Sequence, residues 1–162
     1  MVIPEIEKAK NVFNDANKLY NDILFRYVNL SSTKRELINY NRQQLSKGIK
    51  SNGKLITPFY ASIFYKGRIS PVDLKDTGSF YRSFKVAILN NTDIFIHIYA
   101  TDPKTPKLEF KYRKEIFGLT DSNVELFAQN FITYFLTEIS KEIIKLMISR
   151  ASFVHSLNNS NV

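Results

Sequence analysis

From Ile6 to Tyr27 apolar side chains recur at alternating spacings of three and four: Ile6, Ala9, Phe13, Ala16, Tyr20, Ile23 and Tyr27. That spacing returns each of them to one face of a helix. Pro4 suits the first turn of this helix, where a missing N–H costs nothing. The stripe is long enough for a coiled-coil seam. Its alanines and tyrosines are poor seam residues, so the face reads as one packed on a sheet. A second helix is predicted from Thr33, because Thr33 and Glu36 have the spacing of a capping box. Leu37, Ile38, Asn41 and Leu45 give it a thin apolar face, and Gly48 is a natural stop. Residues 48–54 then read as a loop.

Beyond Lys54 the period changes. Phe59, Ala61, Ile63 and Tyr65 alternate with Tyr60, Ser62 and Phe64, which predicts a strand, with Pro58 placing it at an edge or a start. Residues 67–78 connect it to a run in which Phe84, Val86 and Ile88 alternate with Lys85 and Ala87. After the polar loop Asn90-Asn91-Thr92-Asp93 the alternation resumes at Ile94, Ile96 and Ile98, the pattern of a β-hairpin. Leu108, Phe110 and Tyr112, following Pro103 and Pro106, are read as a fourth strand. The last helix is predicted from Ser122, where Ser122 and Glu125 repeat the capping-box spacing and Asp121 meets the positive end of the dipole. Val124, Ala128, Phe131, Phe135, Ile139, Ile143 and Leu146 form one stripe, of which Val124, Ala128, Phe131, Phe135 and Ile139 are assigned to the sheet. Ile132, Leu136 and Met147 widen one flank and Phe127 the other, more apolar width than a sheet face covers. That flank is assigned to a neighbouring subunit. The expected fold class is therefore α+β: two N-terminal helices, a small antiparallel sheet of three or four strands, and a long C-terminal helix packed on the sheet. One domain is expected over 1–150, with a tail over 151–162 in which Asn158-Asn159-Ser160-Asn161 looks unstructured.

Composition changes this picture little. The chain has 162 residues, 44% of them hydrophobic, which suits one domain with a real core and argues against disorder. The longest uncharged runs, Leu126–Thr137 and Ala151–Val162, fall short of the about 20 residues that a membrane span needs. Acids near the start, at Glu5 and Glu7, stand where a signal peptide needs an apolar core, which argues against export by that route. The absence of cysteine excludes disulfides, thiolate metal sites and cysteine catalysis. Net charge is +8, carried by residues 1–118; residues 119–162 hold 3 basic and 4 acidic side chains. Such a field can attract nucleic acid or an acidic protein. It also matches a lysine-rich solvated surface, since no block of five like charges occurs.

Candidate chemistry is sparse. His97 shares a strand face with Phe95 and Tyr99, and His155 lies near the end, so neither has the carboxylate partners of a metal site. Gly48-Ile-Lys-Ser-Asn-Gly53-Lys54 fits most of a phosphate-binding loop, but Leu55 replaces the magnesium-ligating hydroxyl. A helix before the loop and a strand after it reverse the required order. Asp73 and Asp76 flank a loop, and Asp93 and Asp102 sit in turns, where aspartates bond their own backbone. No enzyme activity, cofactor or metal is expected.

One segment has a recognisable shape. In Leu74-Lys75-Asp76-Thr77-Gly78-Ser79-Phe80-Tyr81-Arg82-Ser83-Phe84 a polar turn with a glycine leads through Phe80, Arg82 and Ser83 into a strand. Further on, Lys114-Glu115-Ile116-Phe117-Gly118-Leu119-Thr120-Asp121-Ser122-Asn123 runs into the last helix. Together they resemble the neck and tail-completion proteins of tailed bacteriophages, small minor tail or head–tail joining proteins, and look most like those of crAss-like phages of gut Bacteroidetes. Asp-Thr-Gly also occurs in aspartic proteases, but there it follows a buried apolar strand, whereas Asp76 follows Lys75 in a basic connector. The resemblance implies long helices on a small sheet and a homo-oligomeric ring at the head–tail junction or tail end. It also implies portal-side and tail-side partners, a passing contact with DNA, no membrane, no catalysis, and residence in the virion after assembly in the bacterial cytoplasm. Asp76, Thr77, Gly78, Phe80, Arg82, Ser83 and Gly118 are the expected turn and interface motif, and Ile132, Leu136 and Met147 the expected subunit contact. The alternative is a basic nucleic-acid-binding accessory protein. Independently of the family, Gly78 is expected to take a positive φ, with Lys75, Tyr81 and Arg82 presented to a neighbour.

Overall fold

The computed structural model describes residues 4–90 and 94–159. Its elements are helices α1 (Pro4–Asn29) and α2 (Ser31–Ser46), the one-turn helices α3 (Ile63–Lys66) and α4 (Ser79–Arg82), strands β1 (Phe84–Asn90) and β2 (Ile94–Ala100), helix α5 (Thr105–Tyr112), a 3-10 turn at Lys114–Ile116, and helix α6 (Asp121–Asn159). The chain is mixed helix and strand, as expected. Where one domain over 1–150 is expected, contacts gather in two compact units, residues 25–128 and residues 1–24 with 129–162. Helix runs on through 151–159, including Asn158 and Asn159; Ser160 and Asn161 lie outside the described residues.

The larger unit is built on the hairpin. β1 and β2 pair antiparallel in the register Phe84↔Ala100, Val86↔Ile98 and Ile88↔Ile96. The alternation of the sequence thus becomes one inward and one outward face. Asn91, Thr92 and Asp93 of the expected loop lie outside the described residues. Phe84, Ile98 and Ala100 join Leu37 and Leu45 of α2, Ile56, Val72, Leu74, Phe80, Tyr112 and Ile116 in a single buried cluster. Phe80 and Phe84 of this cluster meet each other at 5.1 Å, and the partly buried Phe117 packs against them at 6.2 and 5.7 Å between ring centroids.

Two expected strands are corrected: among the described residues the sheet has two strands. Residues 59–65 are mostly irregular. Ser62 accepts the amide of Phe64 at 3.2 Å and so caps α3, which Gly67 ends at a φ of 68°. The local hydrogen bond of a serine and the left-handed glycine outweigh the alternation there. Residues 108–112 belong to α5, opened by Pro106 in its first turn, and Phe110 is exposed. The helix starts also shift. α2 begins at Ser31 with Leu30 at its cap position and no side-chain cap, and Thr33 is buried within its first turn. α6 begins at Asp121, where the Thr120 carbonyl accepts the Val124 amide at 2.9 Å and Ser122 lies inside the helix.

Buried amides of α2 fasten the segment before α6. Asn41 donates to the Ile116 carbonyl at 3.1 Å, and Gln44 donates to the Gly118 carbonyl at 2.8 Å. Gln44 Oε1 accepts from the Thr120 amide and from Asn123 Nδ2, each at 3.1 Å. Tyr27 and Phe127 pack with centroids 5.5 Å apart.

In the smaller unit Tyr20 of α1 sits edge-on against Phe131 and Phe135 of α6, at 5.7 and 5.6 Å. The expected seating of Val124, Ala128, Phe131, Phe135 and Ile139 on the sheet is therefore corrected: Phe131 and Phe135 close on α1, and Val124 and Ala128 are exposed. Of the α1 stripe, Tyr20 thus meets a helix, while Ile6 and Phe13 are exposed. Much of this unit's apolar surface is left open. Phe13 is 69% exposed, and Ile132, Leu136 and Met147 are 55, 58 and 66% exposed.

Candidate binding cleft

The Asp-Thr-Gly turn forms one wall of a cleft, and its shape follows from a few residues. Gly78, at a φ of 80°, reverses the chain and opens α4. The Thr77 hydroxyl accepts the Ser79 amide, and the Arg82 guanidinium reaches back to the Thr77 carbonyl at 3.2 Å. The Ser83 hydroxyl donates to the Phe80 carbonyl at 2.8 Å, closing the turn as Phe80 enters the core. Arg82, from the exposed side, and Ser83 thus brace the turn.

Behind it stands a polar anchor. Asp73 accepts the Tyr60 hydroxyl at 2.7 Å and Arg68 at 2.6 Å, and its carbonyl accepts the Tyr81 hydroxyl at 2.5 Å. Burial pushes the Asp73 carboxyl up, but the Tyr60 hydrogen bond, the Lys75 amide and the charges of Lys66 and Arg68 outweigh it and hold the group below its ordinary value. Burial, reinforced by the hydrogen bond to Asp73, pushes the Tyr60 hydroxyl up to about 12. Burial, with the Asp73 charge, raises that of Tyr81 as well.

The opposite wall is α5. Asp102 accepts the Lys104 amide at 2.8 Å just ahead of the helix. That bond is the main cause that holds its carboxyl below the ordinary range. Spacings of three and four put Lys104, Lys107 and Lys111 on one side of α5 together with Leu108. Between the walls lies a cleft of about 490 Å³, floored by Leu74, Phe80, Leu108 and Tyr112 and rimmed by Lys66, Lys75, Lys104, Lys107 and Lys111. The one carboxylate in its lining is Asp76, 3.3 Å from Lys104 Nζ. Lys66 reaches the Lys75 carbonyl. Lys111 Nζ stands 5.0 Å over the Tyr112 ring.

Of the motif residues, Asp76, Thr77, Gly78 and Phe80 line this cleft. Gly118 does not: it borders a separate shallow depression with His97, Tyr99, Lys114 and Phe117, where His97 stacks on Tyr99 at 5.4 Å. The His155 side chain lies outside those described. Ile132, Leu136 and Met147 belong to the smaller unit. The Gly48–Lys54 loop is held by its own backbone, Lys50 donating to Lys54 at 2.9 Å, and by the Ser51 amide on the Glu115 carbonyl at 2.8 Å. Among the described residues no cluster of histidine and carboxylate side chains is arranged to hold a metal, and no helix is long and apolar enough to cross a membrane. The lysine side of α5 escapes a strand reading, which sends Lys107 and Lys111 one way and Leu108 the other. Pro106 one residue after Thr105 was the signal that a helix starts here.

Comparison with protein-family models, with curated proteins and with solved structures finds no match.

Proposed function

We propose that this protein is a structural subunit that works by assembly, its copies joining through the helices of the smaller unit into a closed, heterologous ring. One observation carries the reading: two helices paired through Tyr20, Phe131 and Phe135 leave Ile132, Leu136, Met147 and Phe13 more than half exposed. Two helices cannot bury both of their apolar flanks in each other, and single folded chains seldom leave so many large apolar side chains of one helix pair in water. Further helices from neighbouring copies would cover it. The neck or tail of a tailed phage is the setting we assign to such a ring, on the resemblance of residues 74–84 and 114–123. There it would dock portal-side and tail-side proteins and reside in the virion, with no catalytic role and at most a passing contact with DNA.

Native mass spectrometry and electron microscopy of the concentrated protein test this. A discrete ring that persists at high salt is the expected result. A monomer at every concentration, with a smaller unit that binds no apolar dye, would remove the reading. A complex that forms only with duplex DNA and dissolves between low and moderate salt would favour the nucleic-acid-binding alternative.

A further inference from the structure

We infer that the cleft between the Asp76–Phe80 turn and α5 seats an acidic peptide segment of a partner protein, anchored by an apolar side chain. The inference stands apart from ring assembly, because every residue it uses belongs to the larger unit.

Charge is the first argument. Five lysines rim the cleft against the single carboxylate of Asp76. Asp76 engages Lys104, and Lys66 is held at the Lys75 carbonyl and 4.0 Å from Asp73. Lys75, Lys107 and Lys111 have no ion-pair partner among the described residues. Lys104, Lys107 and Lys111 crowd one side of a short helix, and like charges at such spacing destabilise it. A bound polyanion relieves that repulsion.

The floor decides which polyanion. Leu74, Phe80, Leu108 and Tyr112 form an apolar bottom that fits one or two apolar side chains. Phe80 and Tyr112 are buried, and Tyr60, the third ring of the lining, is part-buried with its hydroxyl held by Asp73, so no ring stands fully open for successive bases to stack on. The cleft is also a bounded concavity of about 490 Å³, whereas a groove for single-stranded nucleic acid tracks the backbone over several nucleotides. Asp76 in the wall opposes a continuous run of phosphates, yet sits easily between the spaced carboxylates of a peptide. Lysine ammonium groups, compact and mobile, suit carboxylates of variable spacing.

The test is fluorescence anisotropy of the full chain with a labelled peptide, Asp-Glu-Asp-Phe-Leu-Glu-Asp-Glu. The comparators are the same peptide with alanines for Phe-Leu, and oligothymidylate. The acidic peptide should bind about tenfold more tightly than its alanine counterpart and than oligothymidylate. Lys107→Glu and Lys111→Glu should each weaken it about tenfold. Lys85→Glu, the same charge change on the exposed side of β1, should leave it unchanged. Circular dichroism checks the fold of each variant, and Lys111→Gln replaces any that fails. Absent binding, equal affinity for the alanine peptide, preference for oligothymidylate, or an equal loss in Lys85→Glu would each overturn the inference.

Discussion

A side chain at position 78 must adopt a φ of 80°, a region that β-branched residues resist. Gly78→Val should therefore cost about 1–3 kcal/mol in a urea titration. Arg82 Nη1, 3.0 Å from the new Cβ, can swing away. Position 48 is less forgiving. Its φ is 73°, and a Cβ there would stand 2.5 Å from the Cβ of Pro71, a ring carbon with no rotamer to change. Gly48→Ala should thus cost more than Gly53→Ala, which meets the same backbone strain in open space. Equal melting temperatures for the two would contradict this. Asp73 links residue chemistry to pH. Its folded pKa lies below the ordinary carboxylate value, so its contribution is present above about pH 4 and is lost as pH falls through the folded value. Asp73→Asn should flatten the acid limb of stability against pH. Tyr60 acts at the other end: with a folded pKa raised to about 12, its contribution holds below about pH 10 and fades as pH climbs through the folded value.

At the scale of elements, α6 separates two kinds of substitution. Phe131 is buried against Tyr20, and Phe131→Ala should cost about 3–5 kcal/mol of folding stability. Leu136 is 58% exposed, so Leu136→Asp should cost no more than about 1 kcal/mol, mostly helix propensity. Melting curves of the two variants check the difference. α1, α6 and the hairpin could be read from the sequence because their apolar periods run over most of each element. The residues of α5 could not, since Leu108, Phe110 and Tyr112 alternate by chance within one helical turn and a half. The aromatic run 59–65 fails as a strand for a different reason, the Ser62 cap and the Gly67 stop. The turn of the cleft was legible in Asp76-Thr77-Gly78. Its lysine wall was not, because a wrong period for one wall scatters the charges that line the other side of the site.

For the whole molecule, Leu136→Asp and Met147→Asp should abolish higher assembly while sparing the fold, since a charge at either place would be buried without a partner at the contact. Native mass spectrometry beside thermal melting reads both properties in one preparation. Assembled wild-type protein together with assembled, unshifted Leu136→Asp would move the subunit contact away from this flank. Because residues 119–162 carry 3 basic and 4 acidic side chains, joining through this flank does not oppose the +8 of the whole chain. The contact should therefore withstand both low and high salt.

The amides of Asn41 and Gln44 also set a schedule. Gln44 waits for Asn123, which lies 79 positions later in the chain. At the about 5–20 residues per second of ribosomal synthesis, that interval is roughly 4–16 seconds. Throughout it Leu37 and Leu45 have no finished core to enter, and the stripe of α1 has no Phe131 to meet. A nascent chain arrested with Gly118 to Asn123 still inside the exit tunnel should remain sensitive to protease over α2. One released past Phe135 should not. The clamp that holds the mature core closed thus forms only late in synthesis, after Asn123 has left the ribosome.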